Sequence, residues 1–325
     1  MKRQKNILIT GITGFVGSHL AEYCLSMKDV KVSGTIMSHH LGDELDRIKN
    51  IKDKISLIEC NLENRIAVLR AISKVKPDII FHLAAQSFVP VSWQSPEDTL
   101  MNNIISELNI FEAVREAKID PVIVIACSSE EYGLVMKDEL PIKETNPLRP
   151  LSPYAVSKIG QEMLAFQYYK SYGTKNVITR FFNTEGPRRG QDFVMSNFAK
   201  QIALIEKGEQ KPVIYVGNLE AKRDFSDVRD IVCAYWLAAK KCKFGEPYNV
   251  CSGTTISIKE VLNKLLKLSK NKNIKIVKDA KKMRPSDVLV LHGDNTKFKK
   301  ATGWEPKISL DKTIEDTLNY WRSKV

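Results

Sequence analysis

Four side chains of this sequence have the types and spacing for acid–base chemistry on an alcohol: Ser128, Glu130, Tyr154 and Lys158. Tyr154-Ala155-Val156-Ser157-Lys158 follows a helix-start signal at Ser152-Pro153, so the phenol and the ammonium are predicted one turn apart on the same helix face. An ammonium in that position favours the tyrosinate and lowers the phenol pKa towards working pH. Such a tyrosine can take the proton of an alcohol as hydride leaves the carbon. The same spacing also suits an interfacial ring beside a solvated lysine, so the pair acquires meaning only with a site for a hydride acceptor.

The elements that must position these groups can be read around them. Val124-Ile125-Ala126-Cys127 is an apolar run ending in Ser128-Ser129-Glu130-Glu131-Tyr132-Gly133, which predicts a buried parallel strand delivering Ser128 and Glu130 at its carboxyl end. Open α/β sheets place their chemistry there. Strand alternation puts Glu130 on the same face as Ser128 and makes Glu131 the solvated member of the acidic pair. At the start of the chain, a strand from Asn6 to Thr10 runs into Gly11-Ile12-Thr13-Gly14-Phe15-Val16-Gly17 and then a helical pattern from Ser18 to Met27. Glycines at that spacing permit a tight turn and close approach of backbone to a pyrophosphate, which the helix N-terminus then faces.

A second strand is predicted from Val30 to Met37. Its end, Gly34 to His40, holds neither the acidic residue that would bind an adenine ribose nor an arginine for a 2′-phosphate. Further strands follow at Ile55–Glu59, leading into Cys60-Asn61-Leu62, and at Ile79–Ala85, ending in small residues that let a ligand lie close to the backbone. The amphipathic patterns Pro96–Ala117, with Asn102 and Asn103, and Pro153–Tyr172, with Ile159, Met163, Phe166 and Tyr169 on one side, carry more apolar surface than one sheet face needs. A partner subunit would cover the excess. After a sixth strand, Val177–Phe182, the alternation loosens into helices at Phe193–Lys207, Asp227–Ala239, Ser257–Ser269 and Leu310–Lys324, with short strands at Val213–Val216 and Tyr248–Val250. No repeat or flexible linker is present in the pattern.

Together these motifs resemble the extended short-chain dehydrogenase/reductases that act on nucleotide sugars: the glycine turn, His82-Leu83-Ala84-Ala85-Gln86, Ser128 with Tyr132-Gly133, Tyr154 to Lys158, and Arg223-Asp224-Phe225. Asn183-Thr184-Glu185-Gly186-Pro187-Arg188-Arg189-Gly190 with Phe193-Val194, and Arg284-Pro285-Ser286-Asp287-Val288, are similar to the GDP-mannose 4,6-dehydratase branch. That branch includes GDP-4-keto-6-deoxymannose reductases, which the stretch from Gly217 to Trp236 resembles at least as much. The resemblance implies an α/β fold, a doubly wound parallel Rossmann sheet with a smaller interleaved C-terminal substrate-binding domain. Residues 1–182 with about 228–255 would form the first, and 183–227 with 256–325 the second.

It further implies NADP or NAD held by Gly11, Thr13, Gly14, Phe15, Val16, Gly17, Asn61, Leu62, Leu83, Ala84, Ala85, Asn102, Tyr154 and Lys158. A GDP-sugar would be held by Gln86, Ser87, Ser128, Asn183, Val194, Arg223, Arg284 and Asp287, with the arginines on the diphosphate and Asp287 near the guanosine ribose. Ser128 would bond the C4 oxygen, Lys158 the nicotinamide ribose, and Glu130 would serve as acid and base at C5 and C6. The implied activity is a GDP-sugar 4,6-dehydratase that recycles its cofactor, with GDP-4-keto-6-deoxymannose reductase, or another nucleotide-sugar 4-oxidoreductase or epimerase, as the alternative. A homodimer through a four-helix interface is implied as well. Two departures stand out: strand two lacks the arginine pair and the arginine-rich loop of many dehydratases, and a lysine usual just after Val194-Met195 is replaced by Asn197 or its neighbour.

Composition agrees with an enzyme in solution. At 325 residues, 43% hydrophobic and 27% charged, the chain can bury a substantial core and matches neither a membrane protein nor a disordered one. The apolar run behind the basic Met1-Lys2-Arg3-Gln4-Lys5 is too short for a signal peptide or a membrane span, so a cytoplasmic location is expected. The six cysteines lack C-x-x-C spacing and read as reduced packing residues, and His39-His40 has no acidic or thiol companion at metal spacing. The net charge of +12 owes much to lysines between Lys264 and Lys282, without interleaved aromatics, which reads as a solvated face and not a nucleic-acid surface. A positive field would still draw in a diphosphate. A non-enzymatic nucleotide binder on a degenerate fold has no need for a tyrosine poised by a lysine.

Overall fold

The computed structural model describes residues 4–37, 43–282 and 288–325. In the first half, strands β1 (Lys5–Thr10), β2 (Val30–Ile36), β3 (Ser56–Glu59), β4 (Ile79–His82), β5 (Val122–Ser128) and β6 (Asn176–Phe181) alternate with helices α1 (Phe15–Leu25), α2 (Asp43–Asp46), α3 (Arg65–Val75), α4 (Val89–Gln94), α5 (Pro96–Glu116) and α6 (Pro153–Tyr172). The second half runs β7 (Asn183–Glu185), α7 (Val194–Lys207), β8 (Val213–Val216), β9 (Lys222–Arg223), β10 (Phe225–Asp227), α8 (Val228–Lys241), β11 (Pro247–Val250), β12 (Ile256–Ser257), α9 (Ile258–Leu268), β13 (Lys275–Lys278), α10 (Thr296–Thr302) and α11 (Leu310–Arg322).

The central sheet is parallel, in the order β11-β6-β5-β4-β1-β2-β3. Its direction of growth reverses between β1 and β4, and ligands bind at the carboxyl ends of strands at such a reversal. The strands are near-continuous apolar runs because helices cover both faces. Ile9, Leu20, Phe81 and Val232 belong to the core on the α1 and α8 face, whereas Leu8, Ile72, Phe111 and Ile125 belong to that beneath α3, α5 and α6. A separate apolar cluster, including Phe198, Ile214, Leu262 and Ile314, binds α7, α9 and α11 around β8.

Local chemistry sets the boundaries that matter for the site. Helix α6 begins as expected: the Ser152 side chain accepts from the amide of Ala155, Pro153 opens the helix, and Gly173 closes it at φ +68°. Helix α1 starts at Phe15, earlier than the pattern suggested, with Gly14 in an extended conformation as the preceding residue. Strand β4 stops at His82 and does not continue to Ala85. The Thr10 hydroxyl accepts the amides of Leu83 and Ala84, both at 3.1 Å, and so draws the chain out of the sheet. The amphipathic helix α3, capped by the Asn64 side chain, was not anticipated from sequence.

Candidate active site

A cavity of about 1040 Å³ opens at the carboxyl ends of β1, β4 and β5. One end is walled by the glycine turn. A Cβ on Gly17 would stand 2.2 Å from the carbonyl oxygen of Gly11, and Gly11 itself has φ +67° with the Ala84 backbone 3.1 Å from where its Cβ would be. The turn therefore closes on itself in a way that only hydrogen side chains permit. No side chain caps the first amides of α1. Uncapped amides at a helix start suit an anion, and the Cβ-free approach suits a diphosphate, so the turn fits a dinucleotide. Thr13, Gly14, Phe15 and Val16 line the same wall, joined by Asn61, Leu62, Leu83, Ala84, Ala85 and Asn102.

The neighbouring asparagines separate by burial. Asn103 is fully buried and structural, accepting the Gln86 amide at 2.8 Å and donating to Ser157 Oγ at 2.8 Å, while Asn102 lines the cavity. Gln86 and Ser87 also line it, although the Gln86 side chain is engaged with Phe88 and Thr99. At the end of β2, Thr35, Ile36 and Met37 face the cavity; His39 and His40 lie outside the described residues. Arg47, which sequence reasoning passed over, donates to the carbonyl oxygen of Thr13 at 3.3 Å.

Ser128, Glu130, Tyr154 and Lys158 share the central wall. Ser128 is the last residue of β5, and its hydroxyl accepts the Glu130 amide at 3.2 Å to start a single 3₁₀ turn, Ser129–Tyr132. Glu130 thus reaches the cavity from a turn, not by strand alternation. Glu131, expected to be solvated, is instead fully buried. Its carboxylate folds back to accept the Ser128 amide at 2.8 Å, completing a capping box, and faces Arg180 at 3.6 Å. Arg180 also donates to Glu162 at 2.7 Å and to the Tyr132 hydroxyl at 2.7 Å, and this buried charge cluster anchors the turn that carries Glu130.

Tyr154 is buried, with the Ser128 hydroxyl bonded to its phenol and the Glu130 charge nearby. Burial pushes the phenol above its ordinary value. The lowering expected from Lys158 is not found. The ammonium is 5.8 Å from the ring centre and donates instead to the Ala126 carbonyl at 2.8 Å and to Gln161 Oε1 at 2.7 Å, while burial holds the lysine below its usual range.

The far end of the cavity is lined by Asn183, Val194, Asn197, Asn218, Arg223 and Lys282. Arg223 is buried beside Asp224, which accepts both the amide and hydroxyl of Ser252 at 2.7 Å and the Gly253 amide at 2.9 Å, fixing the corner between β9 and β10. Arg284 and Asp287 lie outside the described residues. Lys282, at the end of the run read as a solvated face, is exposed and also lines the cavity. Its Nζ donates to Asn197 Oδ1 at 3.0 Å and to the Tyr215 carbonyl at 2.9 Å, which brings a cation to the position where α7 carries asparagine. No local pattern distinguishes Lys282 from its neighbours, because the contact is made by chain packing across 85 residues.

Glu185 and Arg189, named from sequence only as parts of a motif, line the middle of the cavity. Burial pushes the Glu185 carboxyl up to about 7 against the opposing charge of Arg189, and its Oε2 has no partner. The Arg189 guanidinium lies 4.9 Å from the Phe15 ring and 3.4 Å from that of Phe193. The cysteines are free, and all but Cys233 are buried. Among the described residues no helix is long and apolar enough to cross a membrane.

Comparison with known proteins agrees with this geometry. A sequence model of the family described as GDP-mannose 4,6 dehydratase matches residues 8–317. The chain is 29% identical to GDP-6-deoxy-D-mannose reductase of Pseudomonas aeruginosa, over 99% of this chain and 98% of that one. It is 31% identical to a GDP-mannose 4,6-dehydratase of Vibrio cholerae, over 97% of this chain and 93% of that one. Among solved structures, RMD from Pseudomonas aeruginosa complexed with NADPH superposes with a TM-score of 0.83 at 28% identity, covering 99% of this chain and 100% of that one.

Proposed function

This chain belongs to the GDP-mannose 4,6-dehydratase family, and from that premise we propose that it removes water from a GDP-linked sugar, GDP-mannose or a related GDP-heptose, to give the 4-keto-6-deoxy sugar. What carries the reading is the acid Glu130 in the cavity wall beside Ser128 and Tyr154. A reductase needs one proton-transfer residue at C4, whereas a dehydratase needs a further acid and base at C5 and C6.

The glycine turn, Asn61, Leu62, Leu83, Ala84, Ala85 and Asn102 would hold NADP or NAD, with Lys158 on the nicotinamide ribose. When bound, the cofactor would supply a hydride acceptor for C4 and the same hydride for C6, so that no external reductant would be consumed. Tyr154 takes the C4 hydroxyl proton while Ser128 bonds the developing carbonyl oxygen. Glu130 then removes the C5 proton and delivers it to the departing C6 hydroxyl, which leaves as water, and a proton equivalent to the one taken up by Tyr154 is restored to the sugar at C5 as hydride reaches C6. Because burial disfavours tyrosinate at Tyr154, the phenol depends on the Ser128 hydrogen bond for its ionised form.

Asn183, Val194 and Arg223 would bind the nucleotide, with Gln86 and Ser87 towards the sugar and Arg284 and Asp287 completing the set. Lys282 would supply the charge of the lysine that the resemblance leads one to expect at Asn197 or its neighbour. Arg223→Ala is expected to weaken GDP and the GDP-sugar alike by about 1.5–3 kcal/mol, roughly ten- to a hundredfold, since a charge-assisted contact to a desolvated phosphate is lost. Calorimetry with GDP checks this, and unchanged affinity removes Arg223 from the site.

The division into a cofactor domain, residues 1–182 with about 228–255, and a substrate domain, 183–227 with 256–325, is supported by the separate apolar cluster around α7, α9 and α11. A homodimer through α5 and α6 is supported by Met101, Val156, Met163 and Phe166, which stand 45–53% exposed on these two helices. Met163→Glu combined with Phe166→Glu should turn a dimer into monomers in sedimentation experiments. A monomeric wild type would end that proposal. The unpaired cysteines suit work in the cytoplasm.

The dehydratase reading is tested by incubating the protein with GDP-mannose and GDP-heptoses and a catalytic amount of cofactor. A product lighter by one water supports it. Steady NADPH consumption with a 4-keto substrate and no dehydration would establish a reductase.

A further inference from the structure

Arg47 follows the short helix α2 and stands, half-buried, at the glycine turn. Its Nη1 donates to the Thr13 carbonyl at 3.3 Å and its Nε to the Arg188 carbonyl at 3.3 Å, while Arg188 Nη1 donates back to the Arg47 carbonyl at 3.1 Å. Ile48, fully buried in the core on the α1 and α8 face, fixes the backbone beside it, and Leu45 packs against the same core. The neighbouring carboxylates are engaged elsewhere. Glu22 pairs with Arg188 at 2.6 Å, and Asp46 pairs with Lys49 at 3.2 Å and with Lys324. Among the described residues Arg47 therefore has no carboxylate partner, and its two carbonyl contacts leave Nη2 without a bond.

Position decides what this cation can meet. Strand β2 runs beside β1 with Thr35 opposite Thr10, so the carboxyl end of β2 lies next to the start of the glycine turn, and Thr13, Ile36 and Met37 line one cavity. In a sheet of this type a dinucleotide sets its pyrophosphate at the helix N-terminus and its adenine ribose at the end of the second strand. There an acid reads a free 2′-hydroxyl and an arginine a 2′-phosphate. The segment from Gly34 to His40 contains neither residue, but Arg47 reaches the turn from beyond it. Its planar guanidinium suits a phosphate, because paired N–H groups match two phosphate oxygens. A cation without a counter-charge close to the positive end of α1 is unfavourable by itself and becomes favourable when an anion arrives.

We propose that Arg47 is the specificity-determining residue at the adenosine end of the cofactor site: it receives the 2′-phosphate and makes NADP the dinucleotide this chain prefers over NAD. The proposal rests on the dinucleotide reading of the glycine turn, and its test needs no turnover. The purified protein is titrated with adenosine 2′,5′-bisphosphate and AMP by calorimetry, and with NADPH and NADH by fluorescence. The wild type should bind each 2′-phosphorylated ligand roughly ten- to a hundredfold more tightly than its counterpart, the range of a charge-assisted contact to phosphate. Arg47→Ala should lose that margin while affinity for NADH and AMP stays nearly unchanged. Arg47→Lys keeps the charge without the fork and should retain part of the margin, and it carries the test should Arg47→Ala fail to fold. An arginine that only braces the turn, through the carbonyls of Thr13 and Arg188, would on removal weaken all four ligands alike, and that result overturns the proposal. A wild type that binds NADH as tightly as NADPH overturns it too, and leaves the dinucleotide reading standing. A wild type that binds none of the four overturns the dinucleotide reading and this assignment with it.

Discussion

Tyr154→Phe loses product formation and the appearance of reduced cofactor together, with a fall in turnover of about 10²- to 10⁴-fold, the range that positioned proton transfer supplies. The phenylalanine ring keeps the packing of a side chain that is 8% exposed, so the fold and the melting temperature should hardly change. What disappears is the oxygen bonded to the Ser128 hydroxyl and able to receive the C4 proton. Rapid-mixing absorbance with GDP-mannose reads the result directly. A Tyr154→Phe protein that still reduces its cofactor at near wild-type rate would remove Tyr154 from the first step.

Glu130→Gln separates the second step from the first. The amide retains the shape of the glutamate but cannot take the C5 proton, so dehydration should fall by a similar factor of about 10²–10⁴ while oxidation at C4 persists. Reduced cofactor and a 4-keto sugar that keeps its C6 hydroxyl should then accumulate, a combination that neither a misfolded protein nor a Tyr154 variant produces. The half-buried position of Glu130 on a 3₁₀ turn anchored by Arg180 and Glu131 makes the substitution structurally mild. Near wild-type dehydration would place the base elsewhere. Glu185 is the next candidate, since burial has pushed its carboxyl to about 7 and one of its oxygens is unpartnered in the same cavity.

What could be read from sequence follows from how local the determining contacts are. The glycine turn is specified within seven residues, and helix α6 carries its own cap, proline start and glycine stop, so Gly11 to Gly17 and Tyr154 to Lys158 were legible before any coordinates. All the named site residues within the described chain line one cavity, because parallel strands bring their carboxyl ends together. The errors arose where a charge was judged by its neighbours in sequence. Glu131 reads as a surface acid until Arg180, from another strand, is set against it. Lys282 reads as one lysine among many until α7 meets it.

The lowering of the Tyr154 phenol is the instructive failure. Helical spacing does place Lys158 one turn from Tyr154, but the ammonium is held by Ala126 and Gln161, and desolvation dominates the phenol. Spacing determines which side chains share a face, and the surrounding elements decide where a long side chain ends.

The central claim, that one cavity carries out oxidation at C4 and elimination at C6 in succession, is tested most directly with GDP-mannose bearing deuterium at C4, turned over with catalytic cofactor and no added reductant. A product lighter by one water is expected, with the deuterium relocated to C6 of the same sugar. Deuterium passing into an external cofactor pool, with the C6 hydroxyl intact, would contradict it.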